Sequence, residues 1–341
     1  MNVVAALSAS CVALVLAAAQ APSPLPERLE HYLATAVHPS RAERTQLLRG
    51  SPITRFLDAD PAQEVAIFGA VWIDAPRQRY ADAVMAIETL ERGGAFTKTR
   101  RVGKPPQAAD FADLQLPGDD VADLKHCRPG ECEVKVTADL LDTLRAGVDW
   151  SAPTAGARVQ EVFRAFAHQY VRAYHERGDA ALASYRDKSQ PTSVAADLSA
   201  LASRLTPFSP AQTNVRRYLL DYPAASLPGA RDIVYWQETR FGLKPTIRIS
   251  HIVVHETADE TVVASKMLYA SHYFRAALEL RVLVPDPARG QGFWFVTVSR
   301  SRVDGLSGFL GRLLRGKVRG EIQEGSLAAL RATKRRLEAV K

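Results

Sequence analysis

The stretch that most constrains this chain runs from Phe241 to the C-terminus, and in its first part apolar residues recur at every second position. Ile247, Ile249, His251, Val253 and His255 form one such set, and His272, Phe274, Ala276, Leu278, Leu280, Val282 and Val284 form another. A side-chain period of two puts each set on one face of a strand. Thr261–Tyr269 and Gln291–Val303 read as two further strands. The connectors are Thr257–Glu260, Ala270–Ser271 and Pro285–Gly290. Links that short join antiparallel neighbours, so the strands are expected to form a meander. From Glu321 onward, Ile322, Leu327, Leu330, Leu337 and Val340 approximate a helical stripe. A helix with one apolar stripe needs a surface to lie on, and the apolar face of the meander is the nearest. The expected fold class is α+β, a curved antiparallel sheet gripping a long C-terminal helix.

The 341 residues, 47% hydrophobic, are enough for one large domain or two ordinary ones. Val3–Ala19 is almost wholly small or apolar and leads into Gln20-Ala21-Pro22-Ser23-Pro24. This reads as a signal peptide over residues 1–21, removing Cys11 and directing the chain to the periplasm or outside the cell; an uncleaved anchor is the alternative, because no Lys or Arg precedes the apolar run. In the mature chain Cys127 and Cys132 flank Pro129-Gly130, a type II turn signature, and an exported chain meets oxidants. A disulfide-pinned turn is expected. A redox or metal pair, with His126 adjacent, is the rival; zinc wants four ligands and redox pairs favour two intervening residues, not four.

The formal charge is +7, and all of that excess lies after residue 298, where eleven Lys or Arg face four acids. Export argues against nucleic acid as a partner, whereas an anionic membrane surface would attract this basic segment. A solvated helix face rich in Arg is the plain alternative.

Ahead of the meander, Glu27–Val37 and Ser40–Gly50 read as helices within an N-terminal segment, residues 22–63, and Ser40 with Glu43 as a capping box. Glu64–Pro76 reads as a buried strand ending in a turn, and a helix follows from Pro76. The strand ending Val71-Trp72-Ile73-Asp74-Ala75-Pro76, the helix with Ala83-Val84-Met85-Ala86-Ile87-Glu88, the meander, the glycines at 305, 308, 311, 316 and 320 and the closing Leu330–Glu338 helix together resemble START-like (helix-grip, SRPBCC) domains over about residues 60–95 and 241–341. The resemblance implies a START-like domain over residues 64–341, interrupted by a mainly helical insertion at about 96–230. It also implies non-catalytic binding of a lipid or other hydrophobic small molecule between sheet and helix. The lining would then come from His251, Val253, Tyr269, Phe274, Leu278, Leu280, Phe295, Leu306 and Leu310, with Leu306–Arg315 as a pliable portal meeting lipid headgroups.

The enzymatic rival is a hydrolase or cyclase using His251, His255 and His272, with Tyr269 or Glu256 as acid–base groups. Residues four apart on a strand are about 13 Å apart, too far for one metal without a bulge. No metal site and no cofactor is therefore expected. Gly305-Leu-Ser307-Gly308 lacks nucleophile-elbow spacing, and phosphate-loop and dinucleotide fingerprints are missing.

Overall fold

The computed structural model describes residues 25–240, 244–306 and 308–339. The expected signal peptide lies outside the described residues. Eight strands form one antiparallel sheet: β1 (Ile53–Phe56), β2 (Glu64–Ile73), β3 (Phe96–Val102), β6 (Arg231–Thr239), β7 (Thr246–Glu256), β8 (Thr261–Ala270), β9 (Phe274–Pro285) and β10 (Phe293–Val303). Their spatial order is β1-β2-β10-β9-β8-β7-β6-β3. The four strands read from the 247–303 stretch are thus consecutive neighbours, as their short connectors require, and β2 closes back onto β10 with Trp72 opposite Trp294.

Between β2 and β3 lie α3 (Arg77–Met85) and α4 (Ile87–Leu90). Because β3 pairs with β6 along the sheet edge, the excursion from the sheet runs from residue 103 to 230, not from 96. That excursion carries α5 (Gly118–His126), α6 (Ala138–Gly147), α7 (Ala155–Arg177), the two-residue strands β4 (Ser184–Tyr185) and β5 (Thr192–Ser193), α8 (Val194–Ser203) and α9 (Pro210–Leu220). Ahead of the sheet stand α1 (Glu27–Tyr32) and α2 (Arg41–Leu48), the latter closed by the Ser40–Glu43 capping box. The C-terminal helix α10 spans Gly308–Glu338 without a break, so all the glycines of the laced stretch except Gly305 lie within the helix.

The sheet is covered on both faces. On one, Phe68, Ala70, Trp294, Val296, Leu280, Val282, Ala264, Ile249 and Trp236 pack with α7, α8 and α9 in the larger core. Tyrosine hydroxyls stitch this layer down: Tyr170 donates to the Leu268 carbonyl (2.6 Å) and Tyr269 to that of Lys135 (2.8 Å), while Tyr185 accepts from the Ala270 N–H (3.0 Å). On the other face Val71, Ile73, Phe295, Leu283, Val263, Ile252 and Tyr235 pack with α3 and with Leu330 and Leu337 of α10.

The sequence-based assignment of faces is therefore corrected. The apolar stripe of β9 lies under the inserted helices, and α10 covers the other, more polar stripe. The physical reason is competition: α7 and α8, with their wide apolar faces, bury more hydrocarbon there than one C-terminal helix would.

The last turns of α10 are held by named contacts. Lys334 donates to the Trp72 carbonyl (2.7 Å), Arg79 to that of Leu337 (2.6 Å) and the Asp74 N–H to Glu338 (2.8 Å). Gly69 lets Leu330 approach the sheet, since a Cβ there would meet Leu330 Cδ1 at 3.0 Å and Thr297 Cγ2 at 2.9 Å. Cys127 and Cys132 form a disulfide with Cα atoms 4.8 Å apart, around a turn in which Gly130 has φ +92° and the Glu131 N–H reaches the Arg128 carbonyl. A closed pair of this kind fits an extracellular or other oxidising compartment. Among the described residues no helix is long and apolar enough to cross a membrane.

Candidate functional site

Where α10 lies over the sheet it leaves a cavity of about 530 Å3, a volume typical of small-molecule sites. Its origin is in the alternation of β9 and β10. On β10, Thr297, Ser299 and Ser301 point toward α10 while Val296 and Val298 point into the larger core. On β9, Glu279 and Arg281 do the same between Leu278, Leu280 and Val282. Small hydroxyl side chains cannot reach the helix, and the charged pair lies down along the sheet, so the space between stays unfilled. The helix side presents Ile322, Ala329, Leu330 and Leu337, with Ser326 and Thr333 between them. Phe274, Val303, Tyr80, Leu90, Glu91, Phe96 and Arg336 also line the cavity.

The polar groups are organised. Arg281 grips Glu279 in a two-pronged ion pair, Nε to Oε1 at 2.9 Å and Nη2 to Oε2 at 2.6 Å. The Glu279 side chain is 32% accessible although it stands deep inside the domain, so the space it faces is the cavity. Burial pushes its carboxyl up, but the Arg281 guanidinium, helped by Arg248 and Thr297, more than reverses this and holds it below the usual range. Glu91 is the opposite case. Burial holds its carboxyl above the usual range despite the attraction of Arg281 and Arg248. It accepts a hydrogen bond from Gln237, whose own oxygen accepts from Arg248 (2.5 Å). Burial likewise raises the Tyr80 phenol to about 12. Two carboxyls with displaced and opposite tendencies thus line one cavity.

Of the residues singled out from the sequence, Phe274 and Phe295 line the cavity. Phe274 gets there through a bulge: the β9–β10 register shifts between Arg302 and Val303, which turns Phe274 to the same side as Val303. Val253, Tyr269, Leu278 and Leu280 belong to the core on the opposite face. Leu306 is buried at the approach to α10, apart from the lining. The side chain of Leu310, like most of the portal segment, lies outside the described residues.

The three histidines stand in three separate places. His251 is fully buried, its Nε2 donating to Asp232 (2.9 Å) and its Nδ1 accepting from the Tyr174 hydroxyl (2.7 Å). That tautomer agrees with a ring pKa pushed down to about 4, mainly by burial and against the pull of Asp232. His272 is buried with Nε2 on the Asp120 carboxylate (2.9 Å) and Nδ1 on the Glu133 carbonyl (3.1 Å). His255 is half-buried near Glu260, and its Nδ1 makes no hydrogen bond. Each of the two buried rings fastens an inserted segment to the sheet, and neither converges with the others on one pocket. Among the described residues no group of three or more His, Cys, Asp or Glu is placed to hold a metal ion.

Sequence reasoning missed Glu91, Glu279, Arg281, Thr297, Ser299 and Ser301. For all but Glu91, which ends α4, the signal was present as polar residues at alternate positions in β9 and β10, a pattern that ordinarily marks a solvent-facing stripe. No protein-family model matches the chain, and no curated protein matches it.

Proposed function

We propose that the protein is a START-like carrier that holds a hydrophobic small molecule or lipid between its sheet and C-terminal helix, without chemistry at the histidines. The observation that carries this reading is the 530 Å3 cavity beneath α10, closed by a helix that is tied at its C-terminal end. The order of elements supports it. A strand leading through Ala75-Pro76 into a helix, a meander and a terminal helix lying over the sheet is the arrangement that the START-like resemblance implies. The added helical layer sits on the far face and leaves the cavity open to a ligand. Function by fold analogy alone would be weak; here the cavity supplies the independent argument. Carriage outside the cytoplasm, with the basic C-terminal segment meeting an anionic membrane surface, belongs to the same reading.

The test is occupancy. Native mass spectrometry of the purified protein is expected to show a co-purified apolar molecule, and a fluorescent lipid is expected to exchange into the emptied protein. Ala329 is exposed on α10 yet lines the cavity, so Ala329→Trp is expected to fill the space and weaken probe binding at least tenfold while shifting the melting temperature by only a few degrees. An empty protein that binds no apolar probe would refute the carrier reading.

A further inference from the structure

Over β9 and β10 the sheet wall of the cavity carries a polar strip, set among the apolar Val65, Ile67, Phe295 and Val303 and facing the hydrocarbon of the helix, and this bears on the shape of its ligand. Thr297, Ser299 and Ser301 sit at alternate positions of β10, a row of hydroxyls about 13 Å long at the usual rise of a strand. In the antiparallel register Arg281 stands beside Thr297 and Glu279 beside Ser299, so the row is two strands wide over half its length. All five side chains are partly accessible in strands whose neighbouring positions are mostly buried, and all five line the cavity. The facing wall is the helix, whose Ile322, Ala329, Leu330 and Leu337 present hydrocarbon; the hydroxyls of Ser326 and Thr333 can turn back to carbonyls of their own helix.

Resting on the carrier reading above, we infer that the ligand is a facial amphiphile, a rigid molecule bearing hydroxyl or carbonyl groups along one long side and hydrocarbon along the other. A single-headed chain lipid would lay methylenes over the hydroxyl row and the ion pair, stripping them of water and returning no hydrogen bond. A facial amphiphile satisfies both walls at once. The Glu279–Arg281 pair carries no net charge, so the polar side of the ligand is of the neutral hydrogen-bonding kind.

Two detergents that share one zwitterionic head group separate these shapes: CHAPS, whose body is a hydroxylated steroid with one polar side, and dodecyl sulfobetaine, whose body is a plain chain. Each is titrated calorimetrically into the full-length protein below its micelle concentration. CHAPS is expected to bind at least tenfold more tightly. Thr297→Val and Ser299→Ala, each checked for an unchanged melting temperature, are expected to lower CHAPS affinity severalfold and to leave dodecyl sulfobetaine within twofold. Equal or tighter binding of dodecyl sulfobetaine, or no effect of either substitution on CHAPS, overturns the facial assignment and leaves the carrier reading intact. Failure of both detergents to bind removes both.

Discussion

Arg281→Met is expected to destabilise the protein by about 3 kcal/mol at neutral pH, read as a lowered denaturant midpoint at constant slope. The figure is the low end for breaking a buried ion pair, because water in the cavity partly hydrates the stranded Glu279 carboxylate. Most of the loss comes from that stranded charge rather than from the missing attraction. The double variant Arg281→Met with Glu279→Leu is therefore expected to recover much of it. A double variant as unstable as the single one would show that Arg281 acts by packing alone.

The pH dependence has a definite sign. Glu279 is held below its ordinary value of 4.5 in the folded protein, so its pairing contributes stability above that value and loses it as pH falls through the folded pKa. Without Arg281, burial acts on Glu279 against only the weaker pull of Arg248 and Thr297, and Glu91 loses an attractive neighbour as well. Both carboxyls then favour protonation on folding. The gap between wild type and Arg281→Met is accordingly largest at neutral pH and narrows on acidification, starting above 4.5 as the raised carboxyls of the variant protonate and continuing below it as the wild-type pairing is lost, the opposite of what loss of a histidine interaction would give.

The parts of this fold that were legible in the sequence are those set by local periodicity and short connections. The meander, the terminal helix, the capping box at Ser40 and the turn at Pro129-Gly130 each depend on residues close together in the chain. What stayed hidden depends on which layer covers which face. A strand buried on both sides by different partners, such as β9, shows the same alternation as a half-exposed one. Leu278 and Leu280 were read as lining because apolar positions were assumed to seek α10, whereas the inserted helices claim them. Glu279 and Arg281 look like solvent-facing residues until the helix that encloses them is in place. The bulge near Arg302, which brings Phe274 round to the cavity, has no signature in residue type.

Gly178→Ala is expected to cost about 4 kcal/mol or more. The sequence marks Gly178 only as the end of α7, a position where glycine commonly adopts positive φ. The structure adds a tertiary demand: at φ +57° and ψ −134° a Cβ would fall 1.6 Å from the Tyr222 carbonyl oxygen. The obstacle is backbone, so no side-chain rotation relieves it. Strain in a region of backbone space open almost only to glycine adds to the clash. Either α7 or the segment around Tyr222 has to retreat, and the aromatic cluster that depends on both, with Tyr174 stacked on Tyr222 and each ring edge-on to His251, opens with it. That cluster covers the apolar face of the sheet, not the cavity face. The variant should therefore melt earlier and bind a hydrophobic dye through exposed core while any residual folded fraction retains its ligand affinity. If ligand affinity fell in proportion to the dye signal, the helical layer and the cavity would be one coupled unit, and the separation of the two faces argued above would fail.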